Sequence, residues 1–283
     1  MEKKNSLVSI IIATKNGQKY IKRAIESALN QTYKNIELII IDGGSTDNTK
    51  EVVKPYLTDQ RVYYIYKTDK NASEGLNNGI RASNGKYIAI LDDDDFWCDE
   101  KKLEKQVQFL EGHPDYVLVS GGAIAIDKEG RECYRLLPPE TDEEIKKLML
   151  FDCVFPHGAT IFRKEAWKVV GGYDEKINLS WDWELWLRLG GVGRFYNFQD
   201  YFLCYSQESQ NKRKHLRRQS MEVNLELRKK YRNEYPNFWK AYLLGLGCYF
   251  CSFFPRQRWF TSMLIIPKIK NIFFHRQIYK KGE

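Results

Sequence analysis

Residues 85–97 read GKYIAILDDDDFW. The first half, Tyr87 to Leu91, is an uncharged apolar run of strand length, and the second half is four consecutive aspartates, Asp92, Asp93, Asp94 and Asp95. A buried strand therefore ends in a block of negative charge. Neighbouring carboxylates repel, so the block is either well solvated or neutralised by a cation, and hard divalent ions take oxygen ligands of this kind. In an extended chain, side chains two apart share a face, which sets Asp92 and Asp94 together as a D-x-D pair for Mg²⁺ or Mn²⁺. The competing reading is a solvated acidic turn.

Upstream, Leu7 to Thr14 is rich in β-branched residues and stops at Asn16-Gly17, a turn or helix-start signal. Tyr20, Ile21, Ala24, Ile25, Ala28 and Leu29 then recur at helical spacing, and Ile36 to Ile41 is apolar enough to be covered on both faces. Strand, helix, strand at these lengths is a βαβ unit with a parallel sheet. Such sheets bind ligands at the carboxyl ends of their strands, where Thr14 and Asp42 stand. In Asp42-Gly43-Gly44-Ser45-Thr46-Asp47 the glycines permit a tight turn near a ligand. Ser45, Thr46 or Asp47 is placed to cap a helix running toward Leu57, irregular at Pro55. An ordinary strand-to-helix turn accounts for the same residues. Val62 to Tyr66 is a third strand, and Ser73 to Arg81 a polar helix with Leu76 and Ile80 inward. No G-x-G-x-x-G follows a strand, which speaks against dinucleotide binding.

Downstream, Lys101 to Leu110 is an amphipathic helix, Val117 to Ile126 a strand, and the polar stretch from Asp127 to Glu144, with Pro138-Pro139, an excursion or loop. A strand near Ala159 to Phe162 leads into a short helix that Gly171-Gly172 stops. His157, just before that strand, is a candidate phosphate or sugar contact, or a surface loop residue. In SWDWELWLRLGG, Trp181, Trp183 and Trp186 surround Asp182 and Glu184. Sugar rings stack their CH faces on indoles, so this is either an acceptor pocket with a proton acceptor or an acidic helix start beside core aromatics.

The composition, 43% hydrophobic and 29% charged over 283 residues, is that of a globular chain with a full core. The net charge of +8 suits a phosphorylated substrate, an anionic membrane or nucleic acid. Six dispersed cysteines lack a disulfide framework and point to a reducing cytoplasm. Near the N-terminus Lys15 cuts the apolar run short of a signal-peptide core. Lys212, Arg213, Lys214, Arg217 and Arg218 cluster, and after the charge-free run Ala241 to Phe254 basic residues alternate with large apolar ones. That pattern fits either an anionic membrane surface or a helical hairpin packed on the domain or on a second subunit.

Laid side by side, VSIIIATKNGQKYIKRAIESALNQTY, IELIIIDGGSTDNT, Leu76-Asn77-Asn78-Gly79-Ile80 and GKYIAILDDDDFW give a chain that resembles a family 2 glycosyltransferase of the GT-A fold over roughly residues 6 to 205. The resemblance implies an α/β, Rossmann-like, mostly parallel sheet flanked by helices in residues 1–210. The nucleotide-sugar half occupies about 1–110 and the acceptor half about 111–210, with an α-helical extension in 211–283. It implies a nucleotide-diphosphate sugar donor, usually a UDP-sugar, met by Thr14, Asn16, Asp42, Asn77 and Asp92. Asp92 and Asp94 match the metal-binding D-x-D, for Mn²⁺ or Mg²⁺, and Asp95 extends it. Asp182 matches the second residue of a Glu-Asp motif and is the implied general base of a single inverting displacement. Trp181 stands where the motif has glutamate, which makes Glu184 the fallback base. The implied partners are a glycan or lipid-linked acceptor of surface-polysaccharide synthesis and the inner face of the cell membrane, with no nucleic acid. A sugar nucleotidyltransferase would want a basic, glycine-rich loop where ATKNGQ stands, and a non-catalytic sugar-binding scaffold would fit Trp181.

Overall fold

The computed structural model describes residues 5–206 and 216–253, with the backbone of Gln277–Ile278. The expectations for Lys212 to Lys214 and for the tail beyond Phe253 lie outside these residues. β1 (Val8–Thr14), α1 (Ile21–Leu29) and β2 (Ile36–Asp42) form the expected βαβ unit, with Thr14 opposite Asp42 in a parallel register. α2 (Thr49–Val53) is short because Pro55 turns its continuation into a 3₁₀ segment, Lys54–Thr58. It begins later than expected, with Asp47 Oδ1 accepting from the Thr49 amide at 3.0 Å. β3 (Val62–Tyr66), α3 (Ala72–Ala82) and β4 (Tyr87–Ile90) complete a parallel half in the order β3-β2-β1-β4.

The second half departs from a parallel sheet. It comprises β5 (Phe96–Trp97), α4 (Lys102–Gly112), β6 (Tyr116–Ile126), β7 (Glu132–Leu136), α5 (Asp142–Leu148), β8 (Ile161–Arg163), α6 (Lys164–Val170), α7 (Trp181–Leu189) and β9 (Arg194–Ser206). β8 joins β4 and β6 antiparallel, so the sheet as a whole is mixed. The stretch from Asp127 to Glu144 is not a loop. Asp127 Oδ1 accepts from the Glu129 and Arg131 amides, each at 2.9 Å, and closes a β6–β7 hairpin. Thr141 and Glu144 then form a capping box that starts α5.

Side chains alternate across the strands. Ile10 and Ile12 of β1 face α1 and α4, whereas Ile11 faces α3 and the α6–α7 side, which gives two apolar layers around one sheet. Each such fully buried side chain is worth roughly 1.5–3 kcal/mol. α8 (Arg217–Lys230) and α9 (Phe238–Cys251) belong to the second layer through Leu227, Tyr231, Tyr235 and Ala241, so the described part of the extension is packed on the domain. β10 (Gln277–Ile278) pairs with β7.

Candidate active site

The carboxyl ends of β1, β2 and β4 meet at one edge of the parallel half, and the chain does not stay extended beyond β4. The Asp95 amide donates to the Asp92 carbonyl at 3.2 Å, so the four aspartates form a turn and the D-x-D pair is presented by that turn. The turn gives neighbouring carboxylates separate partners. Thr14 Oγ1 donates to Asp93 Oδ2 at 2.5 Å. A Cβ at Gly17 would strike both groups, so any larger residue there would push this pair apart. Asp95 is buried and accepts from the Ser206 amide at the end of β9, 3.2 Å away. Asp92 faces His157 Nδ1 at 3.1 Å.

Burial pushes the Asp93 carboxyl up to about 7; the bond from Thr14 opposes this, and the charges of Asp94 and Asp92 add to it. Burial also raises Asp95 well above the usual carboxylate range, again with Asp92 and Asp94 adding. This is a crowded, hard-oxygen donor set. No three His, Cys, Asp or Glu side chains among the described residues are arranged to hold an ion unaided. That suits Mg²⁺ or Mn²⁺, which take one or two carboxylates and complete their shell with phosphate and water oxygens. Asp92 and Asp94 fit such an ion.

His157 opens the 3₁₀ turn His157–Ala159 and is 9% exposed. It is therefore not a surface residue, and neither ring nitrogen is spare for a sugar. Nδ1 faces the Asp92 carboxylate, which only accepts, so Nδ1 donates there, and Nε2 lies 3.1 Å from the Tyr173 hydroxyl. Trp181 sets its ring against His157 and Tyr173, with centroids 4.7 and 5.4 Å apart. Burial drives the Tyr173 hydroxyl far above its ordinary value, with the charges of Asp182 and Asp92 adding. One phenol thus lies in the field of both carboxylates, and it links the acidic turn to the start of α7. Spacing gave no sign of Tyr173: it follows Gly171 and Gly172, whose positive φ angles of 86° and 77° turn the chain back to the site.

Asp182 and Glu184 share the first turn of α7 and differ completely in partners. Ser180, at a left-handed φ of 57°, is held by a 2.6 Å bond from its hydroxyl to Asn224 of α8 and fixes where α7 starts. Among the described contacts, Asp182 keeps only a long one from the Cys153 thiol, 3.7 Å. Burial, with Asp182's charge adding, raises that thiol well above its usual range. Glu184 is 1% exposed and accepts from Arg188, from Lys230 at 2.9 Å and from the Tyr231 hydroxyl at 2.7 Å. It clamps α7 to α8, which removes it as the fallback base.

Three residues expected to meet the donor also carry bonds within the scaffold. Asp42 is fully buried: Oδ1 accepts from the Gly44 and Ser45 amides at 3.0 and 2.7 Å, and Oδ2 from the Tyr64 hydroxyl at 2.6 Å. A buried carboxylate has to be bonded in this way, and here it shapes the turn after β2. Asn77, 1% exposed, donates to the Tyr173 carbonyl and Glu175 Oε1 and accepts from the Tyr173 amide; it brackets α3 to the loop before α7. Asn16, at φ 59°, accepts from the Thr46 amide at 2.9 Å and ties the loop after β1 to the loop after β2.

The Glycosyl transferase family 2 model matches residues 9–171, more than half of the chain. An uncharacterized glycosyltransferase of Rickettsia prowazekii, RP339, is 34% identical over 198 residues, which cover 67% of this chain and 60% of that protein. The chain is thus similar to only part of that relative's length. Among solved structures, S. aureus TarS 1-349 in complex with UDP-GlcNAc aligns with a TM-score of 0.63 at 16% identity, over 93% of this chain and 77% of that one. Mannosyltransferase PcManGT from Pyrobaculum calidifontis, in complex with GDP-Man and Mn²⁺, aligns with a TM-score of 0.63 at 17% identity, over 86% and 69%. These likenesses speak for the fold, which is GT-A. The matched stretch runs from β1 through the acidic turn to the end of α6, and the chain belongs to glycosyl transferase family 2.

Proposed function

We propose that this chain transfers a sugar from a nucleotide-diphosphate donor, a UDP-sugar first, to a hydroxyl of a glycan or lipid-linked acceptor, with inversion at the anomeric carbon. We place this activity in surface-polysaccharide synthesis at the cytoplasmic face of the membrane. The observation that carries the reading is the pairing of two unlike acidic groups. The Asp92–Asp95 turn concentrates carboxylates, and Asp182, across the His157–Tyr173 link, is almost without partners. An inverting displacement needs both, one to manage diphosphate charge and one to take the acceptor's proton. A divalent ion on Asp92 and Asp94 would supply Lewis-acid stabilisation of the departing diphosphate. Asp182 takes the proton from the acceptor hydroxyl, and Trp181 beside it offers an apolar face to the acceptor ring.

The experiment is calorimetric titration and thermal shift with UDP, GDP, CDP and dTDP, each with Mn²⁺ and with a chelator. Stabilisation by one nucleotide, lost on chelation and lost in Asp94→Ala, supports the donor site. Unchanged affinity of Asp94→Ala with Mn²⁺ present refutes the metal assignment. No response to any nucleotide puts the non-catalytic scaffold first.

A further inference from the structure

The described part of the C-terminal extension leaves one apolar surface in solvent. On α9 and just beyond it, Trp239 (69% exposed), Leu243 (61%), Leu246 (42%) and Phe253 (47%) stand out from the domain, and Phe250 lies on the same line. Their spacing of four, three, four and three residues places them on one stripe of the helix. The opposite side is already used: Ala241 is buried in the second core layer, and Gly245 lies against the Arg228 guanidinium of α8. The stripe is therefore a second face, and contiguous exposed apolar surface of this kind marks an interaction site.

We infer that this stripe is the face by which the protein sits on an anionic lipid bilayer, an inference that rests on the membrane placement proposed above. Three observations select lipid over a second copy of the chain. First, cations border the stripe. The Arg218 guanidinium lies 3.9 Å from the Phe253 ring centroid, Lys229 Nζ lies 5.4 Å from that of Tyr242, and Lys240 adjoins Trp239. Apolar rings edged by basic heads match acyl chains edged by anionic headgroups. Second, the stripe covers only about two heptads, fewer than the three or four that mark a coiled coil. The flanking positions Lys240, Tyr242, Gly247 and Tyr249 hold no acid of their own, and the one acid bonded beside them, Glu222 of α8, accepts from the Tyr249 hydroxyl at 2.7 Å. Third, the sequence after Phe253 carries Arg256, Arg258, Lys268, Lys270, Arg276, Lys280 and Lys281 against the lone acid Glu283, so the charge that follows the stripe has the sign such a surface attracts. No helix among the described residues is long and apolar enough to cross a membrane, so α9 lies in the interface. α8 is bonded to the start of α7 through Asn224 and Ser180 and to Glu184 through Lys230 and Tyr231. A bilayer seated on α9 is thereby held in fixed relation to the helix that carries Asp182.

The test is flotation of the full-length protein with phosphatidylcholine vesicles, with and without phosphatidylglycerol. It compares the wild type with Leu243→Glu/Leu246→Glu and with Val169→Glu, a control at an equally exposed apolar residue of α6. We expect the wild type to float only with phosphatidylglycerol, and the double variant to lose roughly 100-fold or more in partitioning, since each leucine withheld from lipid costs about a factor of ten and the added charges only deepen the loss. The control should float like the wild type, and nucleotide-induced thermal shifts should be equal in all three. A wild type that floats with no vesicles overturns the membrane placement and this assignment together, leaving the donor site untouched. A wild type and double variant that float equally overturn the stripe alone. If the double variant instead changes the sedimentation mass from dimer to monomer, or lowers the melting temperature while flotation is absent throughout, the face belongs to a second copy or to the chain's own tail.

Discussion

Replacing Glu184 with glutamine separates scaffold from chemistry in the first turn of α7. The carboxylate is 1% exposed and takes a two-atom fork from Arg188, with the Nε donating at 3.0 and 2.9 Å, together with Lys230 and Tyr231. Removing one partner of a buried pair costs about 3–5 kcal/mol, because the remaining charges stay desolvated. Here the Arg188 and Lys230 side chains are 20% and 54% exposed, so water recovers part of that loss. A cost of about 3 kcal/mol follows at the low end of that range, or roughly 6–12 °C in melting temperature for a domain of this size. The sign of the pH dependence follows from the same bonds. Burial alone would raise Glu184, but the bonds from Arg188 and Tyr231 outweigh it and hold the carboxyl below its ordinary value of 4.5. The pair's contribution is therefore fully present above pH 4.5 and is lost as pH falls through the lower, folded value.

The assay is differential scanning calorimetry between pH 3.5 and 8, with transfer rates normalised to folded protein. Glu184→Gln should melt early, with a flattened acid limb, and turn over normally per folded molecule. Asp182→Asn should melt like the wild type and bind donor normally, while turnover falls by about 10²–10⁴-fold, the usual worth of a general base. A Glu184→Gln protein of normal stability that has lost turnover would refute the division, and with it the identification of Asp182.

Two further substitutions test the scaffold. Asn77→Ala strands the Tyr173 amide and carbonyl that the side chain satisfies; it should cost about 2–3 kcal/mol in urea unfolding while donor affinity per folded molecule holds, and a selective loss of affinity would return Asn77 to the cleft. Lys102 is fully buried over Trp97, 4.1 Å from the ring centroid, and burial holds its ammonium well below the usual range. Its unfolded form binds a proton that the folded form resists, so stability rises with pH up to about 10.5. Lys102→Met should flatten that slope, while its loss of the 2.8 Å bond to the buried Gln106 Oε1 sets a pH-independent cost; an unchanged slope would refute the reading.

What the sequence discloses follows the range of the interactions concerned. β1, β2 and α1 are set by periodicity within one element, and the structure repeats them almost residue for residue; the acidic run is visible as residue types, but its turn, closed by the Asp95 amide on the Asp92 carbonyl, is not. The hairpin at β7 and the helix α5 were also legible, since Asp127-Lys128-Glu129-Gly130 is a turn and Thr141-Asp142-Glu143-Glu144 a capping box, but Pro138-Pro139 between them reads as loop. β9 was not legible: Arg194–Ser206 lacks alternation because it is pinned by β6 through a shifting register and by β5 on its other edge. His157 was visible only as a residue type, and nothing local told that its ring would be buried between Asp92 and Tyr173.

The same division runs through the site. The proposed donor side is built from strand ends of one βαβ-type half, where each strand's carboxyl end is fixed by its own sequence, so Thr14 and the aspartates are found by reading along the chain. The proposed acceptor side is built by α7, whose start is fixed by Asn224 on α8, whose Glu184 is fixed by Tyr231, and whose Trp181 is fixed by His157 and Tyr173. These contacts join residues distant in sequence, so the choice between two acids two positions apart rests on which one, among the described residues, the fold bonds least: Asp182, with its single long contact from the Cys153 thiol. By that criterion Glu184 belongs to the fold and Asp182 is the acid left for the transfer we propose, so Trp181 in the Glu-Asp position leaves that proposed base, the residue that follows it, in place.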